Sequence, residues 1–121
     1  MVGAKNEMNE TSEYLHEIFE AMGPIAVRRM FGGYGVFHSG LMFALFIAGR
    51  LYLKTDAQNI HHFKQFQCEP FRYEQKGRTI QMSYWSAPDL MMDERDQARL
   101  WGQIALDAAF RSKYPPLKSA S

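Results

Sequence analysis

The spacing of apolar residues predicts a helix near each end of the chain. The first lies in YLHEIFEAM and ends at Gly23-Pro24. Its apolar stripe is formed by Leu15, Ile18, Phe19 and Met22. The last helix is predicted from about Asp93 to Ser112, with the stripe Leu100, Trp101, Ile104, Ala105 and Ala108. A shorter helix is predicted in TDAQNIHHFKQF, with Ile60, Phe63 and Phe66 turned inward.

Between the first two helices, three segments have the composition of β-strands: GYGVF, LMFALFI and RLYLK. The first two are separated by His38-Ser39-Gly40, which suits a three-residue hairpin loop ending in glycine at positive φ. Ala48-Gly49 separates the second from the third and predicts a two-residue turn. The middle segment is apolar at every position, which is typical of a central strand covered on both faces.

A second hairpin is predicted around Lys76-Gly77, between FRYEQ and RTIQMSYW. With a two-residue turn there, Tyr73 faces Ile80 and Phe71 faces Met82. Both apolar pairs then share one face of the sheet, while the other face takes the polar residues Arg72, Glu74, Thr79 and Gln81.

The elements therefore follow the order α-β-β-β-α-β-β-α, which predicts the α+β class with a single antiparallel-rich, five-stranded sheet and flanking helices. We expect one domain over residues 11–113, preceded by a flexible lead (1–10) and followed by a flexible, proline-stopped tail (114–121).

The glycines of RRMFGGYGVFHSG raise the question of a phosphate-binding loop. Such a loop needs its glycines between a strand and a helix, and here they precede more strand. The predicted hairpin instead sets Gly35 opposite Phe43 and Gly33 opposite Leu45. Large neighbours can then cover the bare glycines, and a helix or a second chain can approach the backbone closely. We interpret these glycines as sheet architecture.

Composition narrows the functional classes. The 121 residues carry a net charge of +1, which argues against a protein held to nucleic acid mainly by bulk electrostatics. The one cysteine, Cys68, permits no internal disulfide, and with His61 and His62 it lacks the paired spacing of a zinc site. The longest apolar run, LMFALFIA, is too short for a membrane-spanning helix, and the first residues, MVGAKNEMNE, lack the apolar core that a signal peptide needs. We expect a cytoplasmic protein without metal or cofactor.

Three groups of side chains are candidates for partner binding. Arg28 and Arg29 could hold an acidic partner or a phosphate, or could equally be solvated or paired with Glu13, Glu17 and Glu20. Lys76 and Arg78 flank a hairpin turn, where cations suit nucleic acid or simply protect an edge strand. Of Tyr84 and Trp85, one is expected in the core and the other remains an interface candidate. The full candidate set is Arg28, Arg29, Phe31, Tyr34, Lys76, Arg78, Tyr84 and Trp85.

Several linked segments resemble the N-terminal domain of the TfoX/Sxy competence-regulator family: RRMFGGYGVF, MFALFIAGRLYLKTD, PFRYEQKGRTIQMSYWSAP and LWGQIALDAAFR. The pattern is carried by Arg28, Arg29, Met30, Phe31, Gly32, Gly33, Leu51, Tyr52, Leu53, Lys54, Lys76, Gly77, Arg78, Ser83, Tyr84 and Trp85. The resemblance implies an α+β domain without a known catalytic centre, in a family that regulates DNA uptake and competence genes beside a DNA-binding activator. Two-domain members continue into a second helical domain, and this chain is expected to be a stand-alone form.

These observations lead to three hypotheses. The first, which the resemblance favours, is a non-enzymatic regulatory adaptor that contacts a protein partner in transcription regulation. The second is a nucleic-acid-binding module that uses Arg28, Arg29, Lys76 and Arg78. The third is a small-molecule binder or an enzyme, which predicts a deep apolar pocket with convergent polar groups. A homodimer is also expected, because the bare glycine strip and an exposed strand edge offer self-complementary surfaces.

Overall fold

The computed structural model describes the backbone of residues 3–115 and the side-chain environment of residues 10–115. Helix α1 spans Gly3–Ile18 and is followed by a 3-10 turn, Glu20–Met22. The strands are β1 (Ala26–Met30), β2 (Gly33–His38), β3 (Leu41–Ile47), β4 (Arg50–Lys54), β5 (Pro70–Gln75) and β6 (Arg78–Ser86). The remaining helices are α2 (Ile60–Gln65), α3 (Leu90–Asp93) and α4 (Arg95–Lys113).

The predicted α+β class and antiparallel sheet are confirmed, but the sheet has six strands instead of five, in the order β1-β2-β3-β4-β6-β5. The missed strand is β1, in which Arg28 and Arg29 interrupt any alternation of apolar and polar residues. The predicted flexible lead (1–10) and tail (114–121) stay predictions; residues 1–2 and 116–121 lie outside the described residues.

All four hairpins of the described chain have the same kind of two-residue turn, in which the second residue is glycine and both residues have positive φ. The φ pairs are 55° and 74° at Phe31-Gly32, 50° and 80° at Ser39-Gly40, 52° and 75° at Ala48-Gly49, and 51° and 76° at Lys76-Gly77. These are the angles of a type I′ turn, whose twist matches that of the flanking strands. The turns predicted at Ala48-Gly49 and Lys76-Gly77 are confirmed.

The register predicted between β2 and β3 is wrong. His38 pairs with Leu41, so the loop contains two residues instead of three. An irregularity between Val36 and Phe37 then shifts the pairing, and Gly35 lies opposite Leu45 instead of Phe43. A bulge of this kind inserts one unpaired residue, which the alternation of side chains along the sequence does not reveal.

In the β5–β6 hairpin the predicted pairing of Tyr73 with Ile80 is confirmed. The ladder shifts between Pro70 and Arg72, so Phe71 has no simple partner in β6. Phe71 still belongs to an apolar cluster with Leu45 and Tyr84.

The helices cover one face of the sheet, and the main core lies between the helices and this face. Phe63 of α2, Trp101 of α4 and Phe43 of β3 are almost completely buried there. Two predicted core residues lie outside it, because Leu100 and Phe66 are 53% and 50% exposed. Helix α4 also begins two residues later than predicted, after the separate short helix α3. The opposite face of the sheet carries the second cluster, which strand residues alone build around Leu45.

An ion pair fixes the end of α4 to the loop after β4. Arg111 donates to the two carboxylate oxygens of Asp56 at 2.6 and 3.1 Å, and the side chains are only 29% and 23% exposed. The backbone N–H groups of Gln58 and Asn59 donate to the same carboxylate at 3.0 Å. The hydrogen bonds from Arg111, and then those from the backbone, hold the pKa of Asp56 below its ordinary value of 3.8.

We therefore expect Asp56→Asn to lower the free energy of unfolding by about 1–3 kcal/mol at pH 7, since bonds to charged groups are lost. A lowered folded-state pKa means that the carboxylate stabilises the fold above its ordinary pKa, and that this contribution is lost as the pH falls through the folded-state value. Urea unfolding across a pH series should show the gap between wild type and variant closing below about pH 4.

The matched control is Glu20→Gln, which breaks the exposed pair between Glu20 and Arg95. We expect it to cost under about 0.5 kcal/mol, as exposed pairs do. A gap for Asp56→Asn that stayed constant down to about pH 2 would assign its effect to the amide itself and not to the lost charge.

Candidate functional site

The structure separates the predicted candidate cations into two groups. Arg28 and Arg29 lie in β1, at one edge of the sheet, whereas Lys76 and Arg78 lie at the turn between β5 and β6. Strands β2, β3 and β4 stand between β1 and β6. The four cations therefore do not form one continuous site.

Tyr84 is the candidate that belongs to the core. It is 6% exposed, and its hydroxyl donates to the carbonyl oxygen of Met42 at 3.2 Å. Burial raises the pKa of the Tyr84 phenol to about 12. Trp85 points to the opposite face, where it is partly buried against the main core. The expectation that one residue of this pair is core is confirmed for Tyr84, whose buried ring offers no surface for stacking.

Arg28 and Arg29 are exposed and lie on opposite faces of β1. The Arg28 guanidinium carbon is 4.9 Å from the centre of the Phe37 ring, and that of Arg29 is 5.8 Å from the Tyr34 ring. Contacts of this kind orient a cation without neutralising its charge. Among residues 10–115, neither arginine forms an ion pair, and Glu20 pairs with Arg95 instead. Both positive charges are therefore available to a partner.

Phe31 lies at the turn directly after β1 and is 54% exposed. Its φ of 55° is uncommon for a residue with a bulky side chain, and the two-residue turn imposes it. An exposed phenyl ring beside two cations offers an anchor of the type that dominates protein–protein contacts.

An open cavity of about 710 Å³ adjoins this turn. Among the described residues, its walls come from α1, from strands β1, β2 and β3, and from the β1–β2 and β3–β4 turns, and they include Thr11, Arg29, Met30, Gly33, Tyr34 and Phe46. We define the arginine edge as β1 together with Phe31 and this cavity. Within residues 10–115 it combines two arginines without an ion pair, an exposed aromatic ring and a concave surface.

A second polar cavity, of about 400 Å³, lies where Lys54, Ser83, Asp56 and Arg111 meet. Its groups already satisfy one another. The Asp56 carboxylate accepts from Arg111 and two backbone groups, and the Lys54 ammonium lies 2.5 Å from the Ser83 hydroxyl. Desolvation by burial lowers the pKa of Lys54, against the opposing effect of Asp56. We interpret this cluster as a structural clamp between β4, β6 and α4.

The His61 and His62 rings lie side by side at the start of α2, with their centres 3.9 Å apart. Residue 61 is the second residue of α2, where a tilted contact with the next ring is possible. Within the part of the chain that the structure describes, no group of three or more histidine, cysteine or acidic side chains is placed to hold a metal ion.

The described helices include none that is both long and apolar enough to cross a membrane. Comparison with known families matches residues 17–109 to the TfoX N-terminal domain. The chain belongs to this family. The resemblance inferred from RRMFGGYGVF and the following segments is thereby confirmed.

One curated relative of this TfoX-family chain is the DNA transformation protein TfoX1 of Aliivibrio fischeri (strain ATCC 700601 / ES114). The two are 30% identical over 84 residues, which is 69% of this chain and 40% of the relative. The chain therefore spans well under half of the relative's length. DNA transformation is the process that the name of this relative states.

The sequence pointed to the arginines and to Phe31, but not to strand β1, which carries both arginines and ends just before Phe31. One signal was present: Phe31-Gly32 has the same residue-glycine form as the other three hairpin turns. Recognised as a turn, it would have placed Ala26–Met30 opposite Gly33–His38 and Arg28 and Arg29 on a sheet edge.

Proposed function

We propose that this TfoX-family domain is a non-enzymatic regulatory adaptor that contacts a protein partner in the transcriptional control of DNA transformation. The family membership supports the process. The arginine edge supports the mode of action, because its two arginines and the exposed Phe31 ring offer a surface for a protein contact.

The observation that carries the proposal is the combination of uncompensated charge and exposed apolar area at one edge strand. Arg28 and Arg29 keep their charges in the described structure, and Phe31 exposes more than half of its surface beside them. Aromatic and arginine side chains are enriched among the residues that dominate binding energy at protein interfaces. An acidic surface on the partner complements this edge.

Direct nucleic-acid binding is the second candidate, and Lys76 and Arg78 are the observation that favours it, since both are exposed at a hairpin tip. The net charge of +1 and the separation of the cations argue against a continuous phosphate-binding track. This candidate requires affinity that falls steeply with salt and depends on both groups of cations.

A pull-down from native cells, with and without nuclease, tests the proposal with two matched pairs of substitutions. We expect Arg28→Ala with Arg29→Ala, and separately Phe31→Ala, to reduce capture of the specific partner by about tenfold or more. Lys76→Ala with Arg78→Ala removes the same charge at the other side of the sheet and should leave capture unchanged. Circular dichroism confirms that all variants fold.

The two candidates give opposite patterns. Capture that survives nuclease and depends on the arginine edge alone supports the adaptor. Capture lost with nuclease, or reduced equally by both pairs of substitutions, contradicts it and favours nucleic acid. The homodimer and the cytoplasmic location stay predictions; sedimentation at high concentration measures the first.

A further inference from the structure

The β1 strand has backbone groups that point away from the sheet at two positions. Met30 and Gly33 close a two-residue turn, so they form a hydrogen-bonded pair, and such pairs alternate along an antiparallel ladder. Arg28 and Ala26 therefore direct their N–H and C=O groups toward β2. Val27 and Arg29 direct theirs outward, where the described sheet has no further strand.

The ends of this outward row are closed. On the N-terminal side, the ring nitrogen Nε2 of His16 lies 3.3 Å from the carbonyl oxygen of Ile25. On the C-terminal side, the chain leaves the strand at the turn after Met30. Val27 and Arg29 are thus the two residues that can accept a ladder from an added strand.

The charges of Arg28 and Arg29 determine which sequence is favoured in a strand added beside β1. Residues directly opposite in an antiparallel pair have their side chains on the same face, and opposite charges there are favourable. Because Arg28 and Arg29 lie on different faces, two neighbouring residues of the added strand reach them, one on each face. Two consecutive acidic residues satisfy both arginines at once.

A second copy of β1 does not meet this requirement. A two-fold antiparallel pairing centred on Arg28 or on Arg29 sets arginine directly opposite arginine, which is unfavourable. Centring it on Val27 requires the outward groups of Ile25, whose carbonyl oxygen His16 already contacts. The edge therefore selects a different chain.

We propose that β1 binds its partner by accepting an antiparallel strand that carries two consecutive acidic residues, as a seventh strand beside Val27 and Arg29. Main-chain hydrogen bonds supply affinity in this mode of recognition, and side chains supply selectivity. The inference rests on the proposed adaptor function and gives the chemistry of the partner segment.

Nuclear magnetic resonance of the whole ¹⁵N-labelled chain tests it with synthetic peptides. The probe is a short peptide of alternating threonine and valine around a central Glu-Glu, compared with the same peptide carrying Lys-Lys. We expect chemical-shift changes along β1 and about tenfold weaker binding of the Lys-Lys peptide. Free protein should exchange the Val27 and Arg29 amides quickly, and the Glu-Glu peptide should slow both.

Charge reversal provides the matched control. Arg28→Glu with Arg29→Glu should invert the preference, so that the Lys-Lys peptide binds more tightly than the Glu-Glu peptide. Retained preference for Glu-Glu, shift changes away from β1, or no binding at millimolar peptide overturns the inference. If the pull-down depends on the arginine edge but the Val27 and Arg29 amides stay unprotected, the adaptor function stands and strand addition fails.

Discussion

Trp101→Ala should lower the free energy of unfolding by about 3–5 kcal/mol, the usual cost of truncating a buried aromatic side chain. Trp101 is 3% exposed, and three rings meet it edge to face. Phe63, Phe66 and His62 lie with their ring centres at 5.1, 5.4 and 6.3 Å from the indole. Since the substitution removes the residue that joins α2 to α4, urea unfolding followed by circular dichroism should show a much lower midpoint.

The neighbouring residue on the same helix is the control. Leu100→Ala removes a large apolar side chain that is more than half exposed, and alanine favours helix slightly more than leucine. We expect a change within about 0.5 kcal/mol. Comparable losses for the two substitutions would mean that α4 is rotated relative to the sheet and that the described packing is wrong.

Gly33→Ala should cost about 2–3 kcal/mol through overpacking. A β-carbon at Gly33 would collide with the carbonyl oxygen of Phe46 and would lie 2.5 Å from Cγ1 of Ile47. The backbone oxygen cannot move away without breaking the pairing of β2 with β3. Thermal unfolding of the variant should therefore occur at a clearly lower temperature than that of the wild type.

Gly35→Ala, two residues along the same strand, is the matched comparison. A β-carbon there would meet the sulfur atoms of Met30 and Met42, which lie at the flexible ends of their side chains. We expect a cost below about 1 kcal/mol, since both sulfurs can rotate aside. Equal losses at the two glycines would contradict the close backbone approach at Gly33.

Gly33 and Gly35 show which features of the fold could be predicted from the sequence and which could not. The interpretation of Gly33 and Gly35 as sheet architecture is confirmed, since both lie in β2. The specific partners were wrong, because the bulge at Val36/Phe37 shifts the register and Met30, Met42 and Ile47 fill the bare strip. These side chains occupy the space in which a second chain was expected to approach. A bulge depends on contacts between strands, and the alternation of apolar and polar residues along one strand carries no information about those contacts.

The candidate site could also be predicted only in part from the sequence, because it depends on the pairing of strands. Composition drew attention to Arg28, Arg29 and Phe31, whose types are common at interfaces. Their grouping required β1, and β1 exists through its pairing with β2 more than through its own pattern. For Leu100 and Phe66, helical spacing predicts core positions, but both side chains are at least half exposed, because spacing along one helix does not define which other elements pack against it.

The connection between β4 and β6 has a consequence for how the chain folds. Strands β1 to β4 form a meander whose turns join neighbours in sequence, and such short-range contacts form quickly. The ladder that joins the β5–β6 hairpin to this meander is short, with three residue pairs from Tyr52↔Ser86 to Lys54↔Tyr84. Pairing of β4 with β6 requires the intervening chain to close into a loop, and the entropic cost of that closure opposes the pairing. Folding is therefore expected to proceed from two locally folded parts, the β1–β4 meander and the β5–β6 hairpin. Pairing of β4 with β6 is expected to be the last and slowest step.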